Sequence, residues 1–271
     1  MRTPRFPALE EAVAADPDDP AAVAVWADAL SAAGSPLGEL LQIFAADPEV
    51  LDLRWRNHVE RLLTAYGAWW YGPLETAQQW QRGALPQRRR ALPVDRRLHW
   101  PPVVRAPAGM ATTRAGLIRT GAGTIPFLRT LAERPTACAL TSFRLTGPVL
   151  PPRPLAAAGL KSLRTLEIGA VDHADRLGRI EGDTPPRLET LVLRGADLSV
   201  GRLVGGLHTL VVAPVGPCDL SGLGDADLPA LTRLELVTEQ PVDLADLVAS
   251  ALGRRLGDRL VQRRPAPREL V

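Results

Sequence analysis

Among the residues that could do chemistry, Asp172-His173-Ala174-Asp175 gathers two carboxylates and an imidazole, donor types that hold a divalent cation. No second His or Cys stands at ligand spacing, so a solvated loop and no metal are expected there. Gly121-Ala122-Gly123 begins like a dinucleotide loop, but Pro126 occupies the place of the third glycine. His58 is placed on a helix and His208 in a strand, neither with a Ser or Cys nucleophile nearby in sequence. The Gly-x-Ser-x-Gly, P-loop and His-Glu-x-x-His patterns do not occur. Arg88-Arg89-Arg90 and Arg96-Arg97, with Trp80 and Trp100, carry the groups that grip a phosphate backbone and stack on bases. Prolines interrupt that stretch and deny it a continuous basic helix, so it is expected to be a solvated connector rather than a nucleic-acid site. These residues point away from catalysis: no catalytic residue, cofactor or metal is expected.

Composition narrows the setting. The chain has 271 residues, 46% of them apolar, ample for a core, and no apolar run reaches the ~18 residues of a membrane span. Net charge is +2, yet residues 1–60 hold eleven acidic side chains against four arginines, a balance of −7. The sole lysine is Lys161; arginine carries nearly all positive charge, and with abundant Ala, Pro and Gly this is the usage of a GC-rich bacterial genome. Met1 to Pro7 lacks an apolar core and Glu10 and Glu11 follow, so no secretory signal is expected. Cys138 and Cys218 are far apart and are expected as buried free thiols in a reducing, cytoplasmic setting.

The elements that position any site are announced by a returning phrase. Leu163-x-x-Leu166-x-Ile168, Leu188-x-x-Leu191-x-Leu193, Leu207-x-x-Leu210-x-Val212 and Leu231-x-x-Leu234-x-Leu236 follow a weaker copy, Leu140-x-x-Phe143-x-Leu145. The steps between copies are 23, 25, 19 and 24 residues. The phrase and its period resemble those of leucine-rich-repeat proteins, in which each unit lays down one short parallel strand. That resemblance implies an extended binding surface rather than a pocket. The ninth position, where Asn or Cys bonds the turn backbone, holds Pro148, Val171, Ala196, Val215 and Glu239, so a short, irregular array with turns satisfied by backbone or water is expected. Leu117-Ile118-Arg119 reads as an entry strand and Ile125 to Arg134 as a helix. Leu244, Leu247, Val248, Ala251, Leu252, Leu256 and Leu260 lie on one helical stripe, predicting a C-terminal helix that covers the last repeat.

All six tryptophans fall in the first hundred residues, ahead of the repeats, and this region reads as helical. Helices are expected over Pro7 to Ala15, over Ala21 to Ala33, from Pro36 through Phe44, and from Pro48 to about Tyr66. Asp16-Pro17-Asp18-Asp19, Ala27-Asp28-Ala29-Leu30, Gly34, Gly38-Glu39 and Gln42 occur in the order and spacing of a bacterial repeat-companion domain, which residues 6–45 resemble. Ala29 stands where that family often has Trp, and Ser31 to Ser35 lacks its charged turn. The resemblance implies a helical module without catalytic chemistry.

The fold class expected is therefore α/β: a short, irregular leucine-rich-repeat solenoid of parallel strands, preceded by an α-helical N-terminal module and closed by a C-terminal helix. Its parts are residues 1–81, a Pro/Arg-rich connector over 82–110, and the repeat domain over 111–271. Strand side chains alternate faces, so the x positions form outward columns. The first is Ser142, Thr165, Thr190, Thr209 and Arg233; the second Arg144, Glu167, Val192, Val211 and Glu235; the third Thr146, Gly169, Arg194, Ala213 and Val237. Val192 and Val211 within a charged rim suit the apolar centre of a protein contact. The partner-binding set is thus Thr165, Glu167, Thr190, Val192, Arg194, Thr209, Val211, Arg233 and Glu235. The function expected is a non-catalytic protein-interaction subunit or scaffold that binds a protein partner and no membrane. The alternatives are an accessory subunit of a neighbouring enzyme and an arginine-dependent nucleic-acid binder.

Overall fold

The computed structural model describes residues 3–46, 50–51, 53–72, 98–99, 103–106, 109–114, 117–146, 161–169, 176–238, 242 and 244–264. Two compact units divide them. The first comprises 1–122, 126–141 and 160–162, the second 123–125, 142–159 and 163–271. The chain is α/β with a mostly parallel sheet.

The first unit opens with α1 (Pro7–Ala15), α2 (Pro20–Ala32) and α3 (Pro36–Ala46). Proline at the first helical position costs no hydrogen bond, because that N–H has no intrahelical partner. Asp19 caps α2 by accepting from the Ala21 amide at 2.8 Å. One apolar stripe per helix is buried: Val13 and Ala14 on α1, Val23, Trp26, Ala27 and Leu30 on α2, Leu37, Leu40, Leu41 and Phe44 on α3. The α2 and α3 backbones meet at Gly38, where an added Cβ would lie 2.5 Å from the Ser31 amide nitrogen and 2.6 Å from the Ala27 carbonyl oxygen. A glycine is required there by closeness of approach rather than by its dihedral angles.

β1 (Val50–Leu51) precedes α4 (Leu53–Tyr71) and pairs antiparallel with β2 (Leu98–His99). The fourth helix therefore differs from its expected bounds: Leu51 is in a strand, the helix starts after it and runs past Tyr66 to Tyr71. Its extension has an apolar reason, since Trp70 and Tyr71 are buried beyond the Val59, Leu62, Leu63 stripe. The end is fixed by Thr136, whose hydroxyl donates to the Trp70 carbonyl. β3 (Val103–Ala106), in the expected connector, pairs antiparallel with β4 (Gly109–Arg114), which runs past the expected boundary at 110, and β5 (Leu117–Gly123) forms where an entry strand is expected. α5 (Ile125–Ala132) follows, then a 3-10 turn over Pro135–Ala139.

In the second unit β6 (Ser142–Leu145), β7 (Thr165–Gly169), β9 (Thr190–Val204), β10 (Thr209–Pro214), β12 (Arg233–Val237) and β13 (Leu260–Arg263) lie side by side in that order, each pair parallel. The leucine phrases are in register: Phe143, Leu166, Leu191, Leu210, Leu234 and Leu260 align across the strands. Except for Leu260, at the sheet's outer edge, these residues are buried.

β8 (Arg176–Asp183) and β11 (Cys218–Asp219) pair with the second arm of β9 in a separate sheet. β9 turns from one sheet into the other at Gly195 to Asp197, where Asp197 has a φ of 48°. Leu177 and Ile180 on β8 and Leu198, Val200 and Leu203 on β9 are buried, so both sheets contribute to the core.

The C-terminal stripe does not form one helix. It is broken into α6 (Ala245–Ala249), α7 (Ala251–Leu256) and a 3-10 turn over Gly257–Arg259, and Leu260 then enters β13. Ser250 has extended dihedrals and its hydroxyl caps α7 by accepting from the Gly253 amide, which stops α6. Gly257, with a φ of 50°, ends α7 in a conformation few side chains adopt. A parallel strand thus forms the end of the sheet where a helix is expected.

Leu191→Ala and Leu210→Ala should each cost about 2–5 kcal/mol, whereas Thr190→Ala, half-buried on the opposite face, should cost far less; urea denaturation checks this, and equal small losses at all three would refute the register. Gly38→Ala should lower stability by about 1–3 kcal/mol, because the clash is with backbone and overpacking is not relieved by a rotamer change; thermal unfolding reads it.

Candidate functional site

The outward face of the parallel sheet begins with how each strand is entered. The amides of Glu189 and Thr190 both donate to the Arg164 carbonyl, those of His208 and Thr209 to the Glu189 carbonyl, and those of Thr232 and Arg233 to the His208 carbonyl, all at 2.8–3.1 Å. One carbonyl thus clamps two successive N–H groups of the next strand, which sets the register before the first leucine of the strand pairs. From there β7, β9 and β10 alternate half-buried and buried residues at their start, as a strand with one face in the core must.

The outward columns align across strands as expected from the phrase. Ser142, Thr165, Thr190, Thr209 and Arg233 form one row, and Arg144, Glu167, Val192, Val211, Glu235 and Val261 the next. Arg194 lies in register with Gly169 and Ala213. Thr165, Glu167, Thr190, Val192, Arg194, Thr209 and Val211 are half-buried, and Arg233 is exposed.

The expected exposure fails at the end of the sheet, where Glu235 and Val237 on β12 are only 6% and 5% exposed. Ala213 and Gly169 in the third column are buried too. At Glu235 the reason is side-chain cover. Arg233 Nη2 donates to Glu235 Oε2 at 2.7 Å, and Arg263 Nε donates to its other oxygen. Two guanidiniums folded over one carboxylate hide it from water while their own planes stay partly exposed. Gly169 has its neighbour Arg194 across it, with an added Cβ 3.1 Å from the Arg194 Cβ.

A looser cluster, with one hydrogen-bonded and one merely adjacent arginine, sits at the other side of the valine pair. Glu167 Oε2 accepts from Arg144 Nε at 2.7 Å, and Glu167 Oε1 lies 3.1 Å from Arg194 Nε. The row therefore reads guanidinium-clamped carboxylate, valine, valine, guanidinium-clamped carboxylate. Arg144 and Arg263 are absent from the expected set. Arg144 was visible as the Glu167 position of the first, weak repeat. Arg263 was not, because Gly257 and Gln262 replace two of the three apolar residues of the phrase around Leu260.

Electrostatically Glu235 is the informative group. Burial acts to raise its pKa, but the Arg263 hydrogen bond and charge, with the Arg233 charge and hydrogen bond, outweigh it and hold the carboxyl below the usual range. Asp219 is lowered as well, chiefly by the Ser221 amide it accepts at 2.9 Å. Neither carboxylate of the face is placed for acid/base work. Glu167 and Glu235 are separated by three strand spacings, about 14 Å at ~4.8 Å each, well beyond the separation of a hydrolytic carboxylate pair.

The remaining candidates do not converge on this face. His58 Nε2 is 2.7 Å from Glu39 Oε1 and its Nδ1 is 3.2 Å from Arg61, a pairing on the helical unit that the sequence did not signal. His208 is exposed at the entry to β10. Cys138 and Cys218 are free thiols, and burial pushes them up to about 12 and about 11, so both stay protonated at neutral pH. Asp172 to Asp175, Arg88 to Arg90, Arg96, Arg97, Trp80 and Trp100 lie outside the described residues. Among the described residues no cluster of His, Cys, Asp and Glu is able to hold a metal ion, and no helix is long and apolar enough to cross a membrane.

A carboxyl whose folded pKa lies below its unfolded value stabilises the fold above the unfolded pKa, and loses that contribution as pH falls through the folded one. Glu235→Gln should therefore cost about 1–3 kcal/mol at neutral pH, as loss of a charge-assisted pair does. The gap from wild type should close as pH drops below the usual carboxylate range. Urea titrations at stepped pH check it, and a pH-independent gap would remove the ionic account of this cluster.

No protein-family model, curated protein or solved structure matches this chain.

Proposed function

We propose that the chain is a non-catalytic protein-interaction subunit whose second unit is a short, irregular leucine-rich-repeat solenoid, with the Thr165 to Glu235 face as its binding surface. One observation carries this reading: Val192 and Val211 are in register on adjacent strands, half-buried, and flanked on both sides by carboxylates whose charge is already met by arginine. An apolar centre within a polar rim is the anatomy of a protein contact. The carboxylates do not oppose the contact, because each is satisfied within the sheet before any partner arrives. Thr165, Thr190 and Thr209 add a row of hydroxyls beside the valines, able both to donate and to accept.

The solenoid reading is supported by the alignment of the leucine phrases despite steps of 19 to 25 residues. Stacked units that share one core and differ in loop length behave in this way. The turn backbone after β10 is satisfied without the Asn of the usual repeat, since the Val215 amide donates to the Gly195 carbonyl at 2.9 Å.

Placing charge at both valines should abolish partner binding with the fold kept, because an unpaired charge in a desolvated contact costs several kcal/mol. The Val192→Glu, Val211→Glu double variant should show wild-type circular dichroism and lose the protein captured by the wild-type chain. A folded double variant that still captures it would place the binding surface elsewhere.

A further inference from the structure

We propose that the segment this face takes is an extended acidic peptide of the form acidic-x-apolar-x-acidic, lying across the strands with its apolar residue over Val192 and Val211. The proposal rests on the reading of this face as a partner-binding surface and adds the chemistry of what binds. Each end of the valine pair carries one carboxylate and two guanidiniums: Glu167 with Arg144 and Arg194, Glu235 with Arg233 and Arg263. Each set of three side chains thus holds one more positive than negative group. Glu167 takes only the Nε donor of Arg144, and Glu235 only one Nη of Arg233, while both side chains are 57% exposed. A guanidinium has five donors, so both keep N–H groups for an incoming carboxylate.

The spacing selects the backbone of the ligand. The cluster centres, Glu167 on β7 and Glu235 on β12, are three strand spacings apart, about 14 Å, with Val192 and Val211 between them. An extended chain advances ~3.4 Å per residue and turns alternate side chains to the same side, so residues i, i+2 and i+4 face the sheet together over about 14 Å. The outer two meet the arginine clusters and the middle one meets the valines. A helix covers the same length in about nine residues, which puts the two end side chains on opposite faces. The Thr165, Thr190 and Thr209 row lies one side-chain repeat along the strands, within reach of the peptide backbone. A single-stranded nucleic acid would also find cations here, but the centre of the row offers two valines and no ring on which a base could stack.

The test uses the full chain and a fluorescein-labelled Gly-Asp-Gly-Leu-Gly-Asp-Gly peptide, titrated by fluorescence anisotropy at low salt up to millimolar protein. Replacing either Asp by Asn should weaken binding about threefold to tenfold, the range of a partly exposed charge-assisted pair. Moving the two Asp residues closer, next to the Leu on each side, should weaken it at least as much, since they then face away from the sheet. In the Arg144→Ala, Arg194→Ala variant, folded by circular dichroism, one of the two Asp→Asn changes should lose its effect. Equal binding of the Asn peptides, no binding of the Asp peptide at millimolar concentration, or preference for an oligothymidylate of similar length would overturn the proposal. The native partner separates this from the broader reading. If Val192→Glu, Val211→Glu abolishes its capture while the Asp peptide fails to bind, the face stands and its acidic-peptide chemistry falls. If capture survives that double variant, the face itself is wrong.

Discussion

The clamp at the entry to β9, β10 and β12 is the constraint on which the second unit depends. A carbonyl has two lone pairs, and those of Arg164, Glu189 and His208 each accept two successive amides of the following strand. That contact repeats although the intervening chain is 25 residues in one case and 19 in the next. Variation in length is absorbed away from the parallel sheet, where β8, the second arm of β9 and β11 differ in extent from one another. Because a slip of one residue would turn every leucine outward, a clamp ahead of the pairing keeps the leucine column and the threonine and valine columns on opposite faces. The composition of the outward face is thus a consequence of how the strands are entered.

This explains which parts of the fold were legible. The leucine phrase identified β6, β7, the start of β9, β10 and β12 and their alignment, because burial on one face imposes a period of two on the sequence. The helices α1, α2 and α3 were legible within a residue or two because proline and capping aspartate mark their starts. β8 and the second arm of β9 were not, since Arg176 to Asp183 and Ala196 to Val204 contain glycines and charges in no regular alternation. The C-terminal stripe misled for a different reason. Leu244 to Leu260 keeps a helical period, but Ser250 and Gly257 interrupt the backbone, and local capping overrode periodicity. On the outward face the strand register was legible and the burial of Glu235 was not, because one of its two covering arginines comes from β13, whose phrase is degraded to a single leucine.

In the helical unit the residues that gave the repeat-companion likeness have local structural tasks. Gly38 permits two helices to touch, Asp28 accepts from Gln42 at 2.7 Å across them, and Glu39 meets His58 at the base of α4. A motif whose members join helices to one another accounts for its own spacing through packing, independently of any ligand. Glu10 belongs to the same economy: it is buried, and both of its oxygens are held by Arg5, with the Phe6 amide as a further donor.

Carboxylates beside a hydrophobic contact ordinarily weaken it, since water must be stripped from them. On this sheet Glu167 and Glu235 have already been desolvated or half-desolvated during folding, and their negative charge has been used to gather guanidiniums from neighbouring strands. Each arginine is a long side chain with considerable rotamer freedom, and one that is free must be immobilised when it binds. Arg144 and Arg233, pinned through one nitrogen to a glutamate of the sheet, present their other nitrogens in an orientation set by the sheet itself. The glutamates thereby convert mobile positive charge into positioned donors at fixed distances on either side of the valine pair. Their value to the face lies in ordering the cations around them, and removing either one would loosen its arginines even though it would also make the surface more positive.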